Sequence, residues 1–210
     1  MIAPAFALAA MFALGAFSWT LAEYTLHRFA MHEMRGRGKA SKEHLRHHAA
    51  FDHNPGTTAL SWTGVFVVAA TVFFPIGLLV NGLAGGIALG SGWIVGYAGY
   101  EYLHWAAHRK APRTAYEAWV RRHHFHHHFG HPMMNHGVTT TLWDRVFGTL
   151  DVPDFIKVPR RMAMVWLLDD DGELRPEYQD SYVLVGRSDR DERGARRDLE
   201  DAYANLAPAL

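Results

Sequence analysis

The sequence predicts an all-α fold: an integral membrane helical bundle of about three spans, carrying a helical, histidine-rich cap on the cytoplasmic side. Three observations lead there. Residues 2–22 contain no charged side chain, and the 47 residues 54–100 contain neither a charge nor a histidine. The basic residues that follow these stretches all fall on one side of them. The chain's 15 histidines gather in short clusters that border the apolar stretches.

A bilayer crossing needs about 20 apolar residues. Residues 2–22 make one crossing, and 54–100 are long enough for two joined by a short turn. Asn81-Gly82 and Gly85-Gly86 supply turn residues near its middle. The spans are expected at about 3–24, 60–80 and 86–105. Pro75 falls inside the second, where neighbouring helices can accommodate it. Trp19, Tyr24, Trp62, Tyr100, Tyr102 and Trp105 lie near span ends, as interfacial aromatics do. A cleaved signal peptide fits the first stretch poorly. It has no basic leading segment and runs unbroken into Glu23-Tyr24-Thr25-Leu26-His27-Arg28. A pair of buried soluble helices fits the second poorly, because 47 uncharged residues are too many for a soluble domain of this size.

The loops set the expected orientation. Arg28, Arg35, Arg37, Lys39, Lys42 and Arg46 lie between the first two spans; Arg109, Lys110, Arg113, Arg121 and Arg122 follow the third. The N-terminus and the turn at Asn81 carry no Lys or Arg. Positive residues stay inside, so both basic segments are expected in the cytoplasm, and in a bacterium the membrane would be the inner one.

The formal net charge of zero is a cancellation. Residues 1–150 hold 12 Lys+Arg and 7 Asp+Glu, whereas 151–210 hold 9 and 14. The first region is read as the membrane domain and the second as an acidic cytoplasmic extension. That extension has short apolar pieces at 158–168 and 182–186, then a charged helix with Ala195, Leu199, Ala202 and Leu206 at helical spacing. Overall neutrality argues against a nucleic-acid binder. The absence of cysteine excludes disulfides, cysteine-based zinc sites and iron–sulfur clusters supplied by this chain.

Four histidine clusters border the spans. They are His27 with His32; His44, His47 and His48; His104 with His108; and the run His123 to His128, broken only by Phe125. On an α-helix, residues three and four apart share a face. His44, His47 and His48 are therefore expected to converge on one point, as are His104 and His108. In the last run, His123/His126/His127 and His124/His127/His128 fit the pattern equally well. His27 and His32 are five apart, about 140° on an α-helix, so they either bracket a site or sit across a break. Neutral imidazole ligates iron, zinc and copper. Ten imidazoles exceed one ion's coordination and suggest two sites with about five ligands each. His53, His131 and His136 lack equally clear spacing.

The order of these segments resembles the fatty acid hydroxylase / sterol desaturase superfamily. The similarity runs through Glu23-Tyr-Thr-Leu-His27-Arg-Phe-Ala-Met-His32, His44-x-x-His47-His48, Tyr100-Glu-Tyr-Leu-His104-x-x-x-His108 and His124-x-x-His127-His128. It closes with Asn135-His-Gly137 and Trp143-Asp144-Arg-Val-Phe-Gly-Thr149, covering about residues 15–150. The resemblance implies a membrane-bound non-haem di-iron oxygenase that hydroxylates or desaturates a lipid, with a fatty-acyl chain as the expected substrate. Matched residue by residue, it implies His27, His32, His44, His47, His48, His104, His108, His124, His127 and His128 as ligands of two iron ions (or zinc, as isolated), and the closing motif selects His124 over His123. It implies dioxygen as co-substrate, and an external electron-transfer protein with its reductase. Glu101, Asp144, Asn135 and His136 are candidates to support the ligands from behind. This chain departs from the family in placing one span, rather than a hairpin, before the first cluster, and in having Arg109 after the third.

Other classes are weaker. A metal transporter would place ionisable ligands within its spans. A zinc hydrolase would show His-Glu-x-x-His, which is absent. A passive metal-binding protein keeps the clusters without turnover. A carotenoid ring hydroxylase shares the histidine boxes, but the opening and closing motifs favour the fatty-acyl side. All ten ligand positions precede Val158, so removing the remainder is expected to leave metal binding largely intact.

Overall fold

Residues 5–25 are rich in Ala and Leu, strong helix formers, with no proline to interrupt them, and they form helix α1 (Ala5–Thr25). The second forms α3 (Ala59–Val68), a wide π-helical turn (Ala69–Phe73) and α4 (Phe74–Arg109). Pro75 explains the wide turn. It has no N–H for the ladder and its ring crowds the preceding turn, so the helix loosens to i→i+5 bonds just before it. The computed structural model describes residues 5–50, 59–189 and 191–208. His53 lies outside the described residues.

The backbone leaves the helix at Asn81 (φ −146°, ψ 32°) and Gly82 (φ 64°, ψ −164°). Gly82 takes a left-handed φ that a side chain would resist. The apolar run is thus two helices, 59–80 and 83–109, and the turn falls at the expected Asn-Gly. Each is long enough for a hydrocarbon core of about 30 Å.

The chain divides into two compact units. The first comprises Met1–Glu23 and Gly56–Tyr102. Within it the two helices run antiparallel. Trp93 Nε1 donates to the Val65 carbonyl at 3.1 Å, Phe73 stacks on Trp93 at 4.5 Å, and Trp62 meets Tyr97 edge-on at 4.7 Å. Helix α1 lies alongside the second of them. A Cβ at Gly15 would strike Leu89 and Trp93 backbone, and one at Gly92 would strike the Phe12 carbonyl. Small residues that let backbones meet are how helices associate in lipid. Only 11% and 17% of the most apolar windows of the two stretches are buried. Phe6, Leu79, Val80 and Leu83 stand more than 60% exposed. Soluble core helices would bury these side chains, so the unit is built for an apolar solvent.

The second unit comprises Tyr24–Pro55 and Leu103–Leu210. It contains a π-helical segment (Leu26–Glu33) that continues α1, then α2 (Lys39–Ala49), α5 (Ala115–Phe129) and the short α6 (Leu142–Val146). Thr114 caps α5 by accepting the Glu117 N–H at 3.1 Å. Buried Arg121 donates to the carbonyls of Ala106 and Lys110, at the end of α4, and to that of Glu117 in its own helix, tying α5 to the end of α4.

The extension departs from the all-α expectation. β1 (Ile156–Pro159) and β2 (Tyr182–Val185) pair in parallel, with Ile156 opposite Tyr182 and Pro159 opposite Val185. Strands of four residues are too short to show an alternating pattern, and the apolar piece at 158–168 is broken into single 3₁₀ turns. Together they form a core of Phe125, Phe129, Ile156, Val158, Trp166, Leu167 and Tyr182. The closing helix α7 (Glu192–Ala204) is present, but of the predicted apolar stripe only Ala202 is buried. Leu199 and Leu206 are exposed, whereas Asp198, Ala202 and Asn205 are buried. Asp198 pairs with Arg161, and Ala202 packs on Leu45 and Ala49 of α2. Polar partners elsewhere in the unit, invisible to local hydropathy, choose the face.

Candidate metal centre

The second unit gathers ten histidines from four segments into two groups of five. His27, His32, His44, His48 and His127 form the first; His47, His104, His108, His124 and His128 form the second. Within each group, one ring nitrogen per residue lies within 4.8 Å of all the others. Every member is buried except His108, which is partly so. This is the spacing at which imidazoles on one cation, about 2.1 Å from it, would stand.

The backbone explains the sorting. His27 and His32 lie in the π-helical segment, where the ladder is i→i+5 and residues five apart share a face; their rings sit 5.2 Å apart. Neither a bracketed site nor a helix break is needed. On α2, His44 and His48 are an i,i+4 pair in the first group, while His47 turns to the second. On α5, His124 and His128 are the i,i+4 pair in the second group, while His127 turns to the first. The triplets therefore do not each converge on one point, as helical spacing suggested. Residues three apart on a helix diverge by about 60°, enough to reach different centres. A stacked ring pair joins the two groups: His48 of the first and His128 of the second lie 4.1 Å apart at 11°.

Hydrogen bonds settle the tautomers in the first group. His27 Nδ1 donates to the His136 carbonyl at 2.5 Å, and His127 Nδ1 to the Met134 carbonyl at 2.7 Å. His32 Nδ1 donates to Asn205 Oδ1 at 3.0 Å, and Asn205 Nδ2 returns a bond to the His32 carbonyl at 3.2 Å. A neutral imidazole carries one proton, so all three Nε2 atoms are bare lone pairs. Yet His32 Nε2 and His127 Nε2 stand 3.0 Å apart. His44 Nε2 is 3.0 Å from His27 Nε2 and 2.9 Å from His32 Nε2. Between His32 and His127, lone pair faces lone pair and repels at this distance, and a shared cation converts the repulsion into ligation. The donor set fits a metal ion on these grounds. In the second group, His47 and His104 Nε2 are 3.1 Å apart, and His108 and His124 Nε2 2.9 Å apart.

Burial first, and neighbouring imidazoles second, hold His44, His48, His124, His127 and His128 well below the ordinary imidazole pKa. They are neutral at pH 7, the form that binds metal.

The remaining predicted residues fall into place differently. Asp144 is fully buried. Its Oδ1 accepts from the His136 N–H at 2.8 Å and the Thr149 hydroxyl at 2.8 Å, and its Oδ2 from the Gly137 N–H at 2.9 Å. It touches no member of the two groups but fixes the backbone of His136, whose carbonyl fixes His27. Asn135, at a left-handed φ of 57°, exchanges two hydrogen bonds with the Asp151 backbone and steadies the same loop. The His136 ring lies edge-on to His27 at 5.5 Å. Glu101, in the first unit, accepts the Tyr97 hydroxyl at 2.5 Å. His123 lies 3.4 Å from Asp144, and His126 bonds Asp151 at 2.8 Å, so both leave the groups to His124. His131 is exposed. Sequence reasoning missed Asn205 and the carbonyls of Met134 and His136. A carbonyl has no sequence signal, and Asn205 is 173 residues from its partner.

Residues 12–149 match the family described as fatty acid hydroxylase. A dihydroceramide fatty acyl 2-hydroxylase of Arabidopsis thaliana is 32% identical over 141 residues, covering 66% of this chain and 59% of that protein. The fatty acid 2-hydroxylase of Homo sapiens is 32% identical over 153 residues, covering 67% of this chain and 39% of that protein. The solved structure of full-length scs7p, in which only the hydroxylase domain is visible, matches with a TM-score of 0.54 at 27% identity, over 71% of this chain and 58% of that one. The chain thus spans less than two thirds of the length of these relatives.

Proposed function

Because this chain belongs to the fatty acid hydroxylase family, we propose that it is a membrane hydroxylase that converts a C–H bond of a fatty-acyl chain to C–OH, at carbon 2. One observation carries this reading: two adjacent groups of five buried imidazoles, with bare Nε2 lone pairs facing one another in the first. The relatives' names, which specify acyl 2-hydroxylation, support the substrate class and position.

In this reading the ten histidines hold two iron ions, which supply the activation of dioxygen for oxygen insertion. The balance is C–H + O2 + 2 e⁻ + 2 H⁺ → C–OH + H2O, with the electrons delivered by a separate electron-transfer protein and its reductase. The chain's own residues do the rest. The Met134 and His136 carbonyls and Asn205 hold three Nδ1 protons, so the Nε2 atoms are ready to ligate without reorganisation. Burial keeps the imidazoles neutral and water scarce. The exposed apolar surface of the first unit suits it to the bilayer in which an acyl substrate resides. The Asn81-Gly82 break and the basic loops support a reading of three spans with the histidine groups on the cytoplasmic face.

The test is purification of the full chain with metal analysis, and lipid mass spectrometry of cells with and without it under ¹⁸O2. About two metals per chain and ¹⁸O-labelled 2-hydroxyacyl lipids are expected. Two metals with no labelled acyl product would refute the substrate class; loss of neither metal in His47→Ala and His127→Ala would refute the metal reading.

A further inference from the structure

The family match ends at residue 149, and α7 lies beyond it. Yet α7 reaches the first histidine group. Its buried stripe, Asp198, Ala202 and Asn205, has i, i+4, i+7 spacing and is anchored at each position. Asp198 pairs with Arg161, and Ala202 packs on Leu45 and Ala49 of α2, the helix that carries His44 and His48. One residue on, the Tyr203 ring fills the space at Gly36, where φ is +79° and a Cβ would overlap the ring. Gly36 follows His32 by four residues. Asn205 ends α7 in a left-handed conformation (φ 60°, ψ 38°) and exchanges two hydrogen bonds with His32.

We infer that α7 is a clamp on the first histidine group, and that Asn205 is a positioning residue that holds His32 in the tautomer and orientation needed to ligate metal. The inference rests on the reading of that group as a metal centre. The physical argument is the reciprocity of the contact. Oδ1 accepts the Nδ1 proton, which leaves Nε2 bare, while Nδ2 ties the His32 carbonyl and so the backbone from which the ring projects. The left-handed turn aims the Asn205 side chain back along α7 toward that ring, a conformation Asn tolerates better than most residues. Without the acceptor, the His32 imidazole is free to carry its proton on Nε2, which blocks ligation. The acidic extension is therefore part of the centre, and the expectation that it is dispensable for metal binding is revised.

The experiment uses the full chain in detergent, loaded with Co(II), and follows metal release to a chelator together with the Co(II) visible spectrum. Asn205→Gly keeps the left-handed turn, which glycine adopts freely, and removes only the side chain. It is expected to release one of two metals about 10–100-fold faster, with an altered spectrum for that metal, while the other is released as in the parent. Asn205→Asp restores the acceptor and is expected to recover most of the retention. Parent-like release of both metals by Asn205→Gly would overturn the inference, as would an Asn205→Asp variant no better than Asn205→Gly. A parent chain that holds no metal would instead overturn the metal reading on which it rests.

Discussion

Asp144→Ala is the substitution whose consequences can be followed furthest. Asp144 is fully buried and accepts three hydrogen bonds of 2.8–2.9 Å, from the His136 N–H, the Gly137 N–H and the Thr149 hydroxyl. Bonds to a charged acceptor contribute about 1.5–3 kcal/mol each, and each buried donor left without one costs about 1–3 kcal/mol. Three such donors sum to roughly 3–9 kcal/mol, and relaxation and water entry bring the expected loss to about 4 kcal/mol, near the upper end for single substitutions. The damage propagates. His136 shifts, its carbonyl leaves His27 Nδ1, and His27 loses the bond that exposes its Nε2. Metal affinity at the first group should fall about 10–100-fold. Asp144→Asn keeps one acceptor but turns an amino group toward a donor, so it should fall between parent and alanine. Thr149→Val, which removes one of the three bonds together with the Tyr24–Thr149 contact, should cost about 1–2 kcal/mol. The assay is thermal unfolding in detergent, with metal content measured on the same samples. An Asp144→Ala protein that melts with the parent and keeps its metal would refute the chain of reasoning from carboxylate to loop to ligand.

Three further outcomes are expected. His47→Ala and His44→Ala should each lower metal content by weakening different groups, whereas His126→Ala, whose ring goes to Asp151, should leave it unchanged; equal loss in all three, by metal analysis, would contradict the sorting. Metal retention and stability should be full above about pH 6.5, the ordinary imidazole value, and fall progressively in acid. His44, His48, His124, His127 and His128 are depressed in the fold, so the unfolded chain binds more protons; a pH series of melting and metal release that peaks below pH 6 would contradict this sign. Gly92→Leu should destabilise the first unit by about 1–3 kcal/mol, because its Cβ meets the Phe12 carbonyl, whereas Gly99→Ala, with open space around it, should be neutral or stabilising by up to about 1 kcal/mol; comparable yields and melting for both, by size exclusion and thermal unfolding, would show that the close helix contact is unimportant.

The apolar helices were legible because a bilayer imposes a long uncharged run that no soluble domain of this size can imitate. The turn at Asn81-Gly82 was legible because only glycine enters a left-handed φ freely. The histidine clusters were legible as types, since ligands must be imidazoles at helical spacing whatever surrounds them. The four-residue strands were not, because they are shorter than the period needed to announce them. The stripe of α7 was misread because Asp198 is buried against Arg161, a choice made 37 residues away.

The amino-acid sequence by itself determined which residues could ligate and where the chain could cross a membrane. Both depend on residue chemistry and on short, local periods. Only the tertiary structure decided how ten imidazoles divide between two groups. That division turns on a π-helical segment that brings His27 and His32 to one face, and on the 60° of helical twist that parts His47 from His44 and His127 from His124. It turns equally on distant oxygens, those of Met134, His136 and Asn205, that fix the tautomers. A lone pair has a direction only when something on the far side of the ring holds the proton, and in this chain that something comes from elsewhere in the fold.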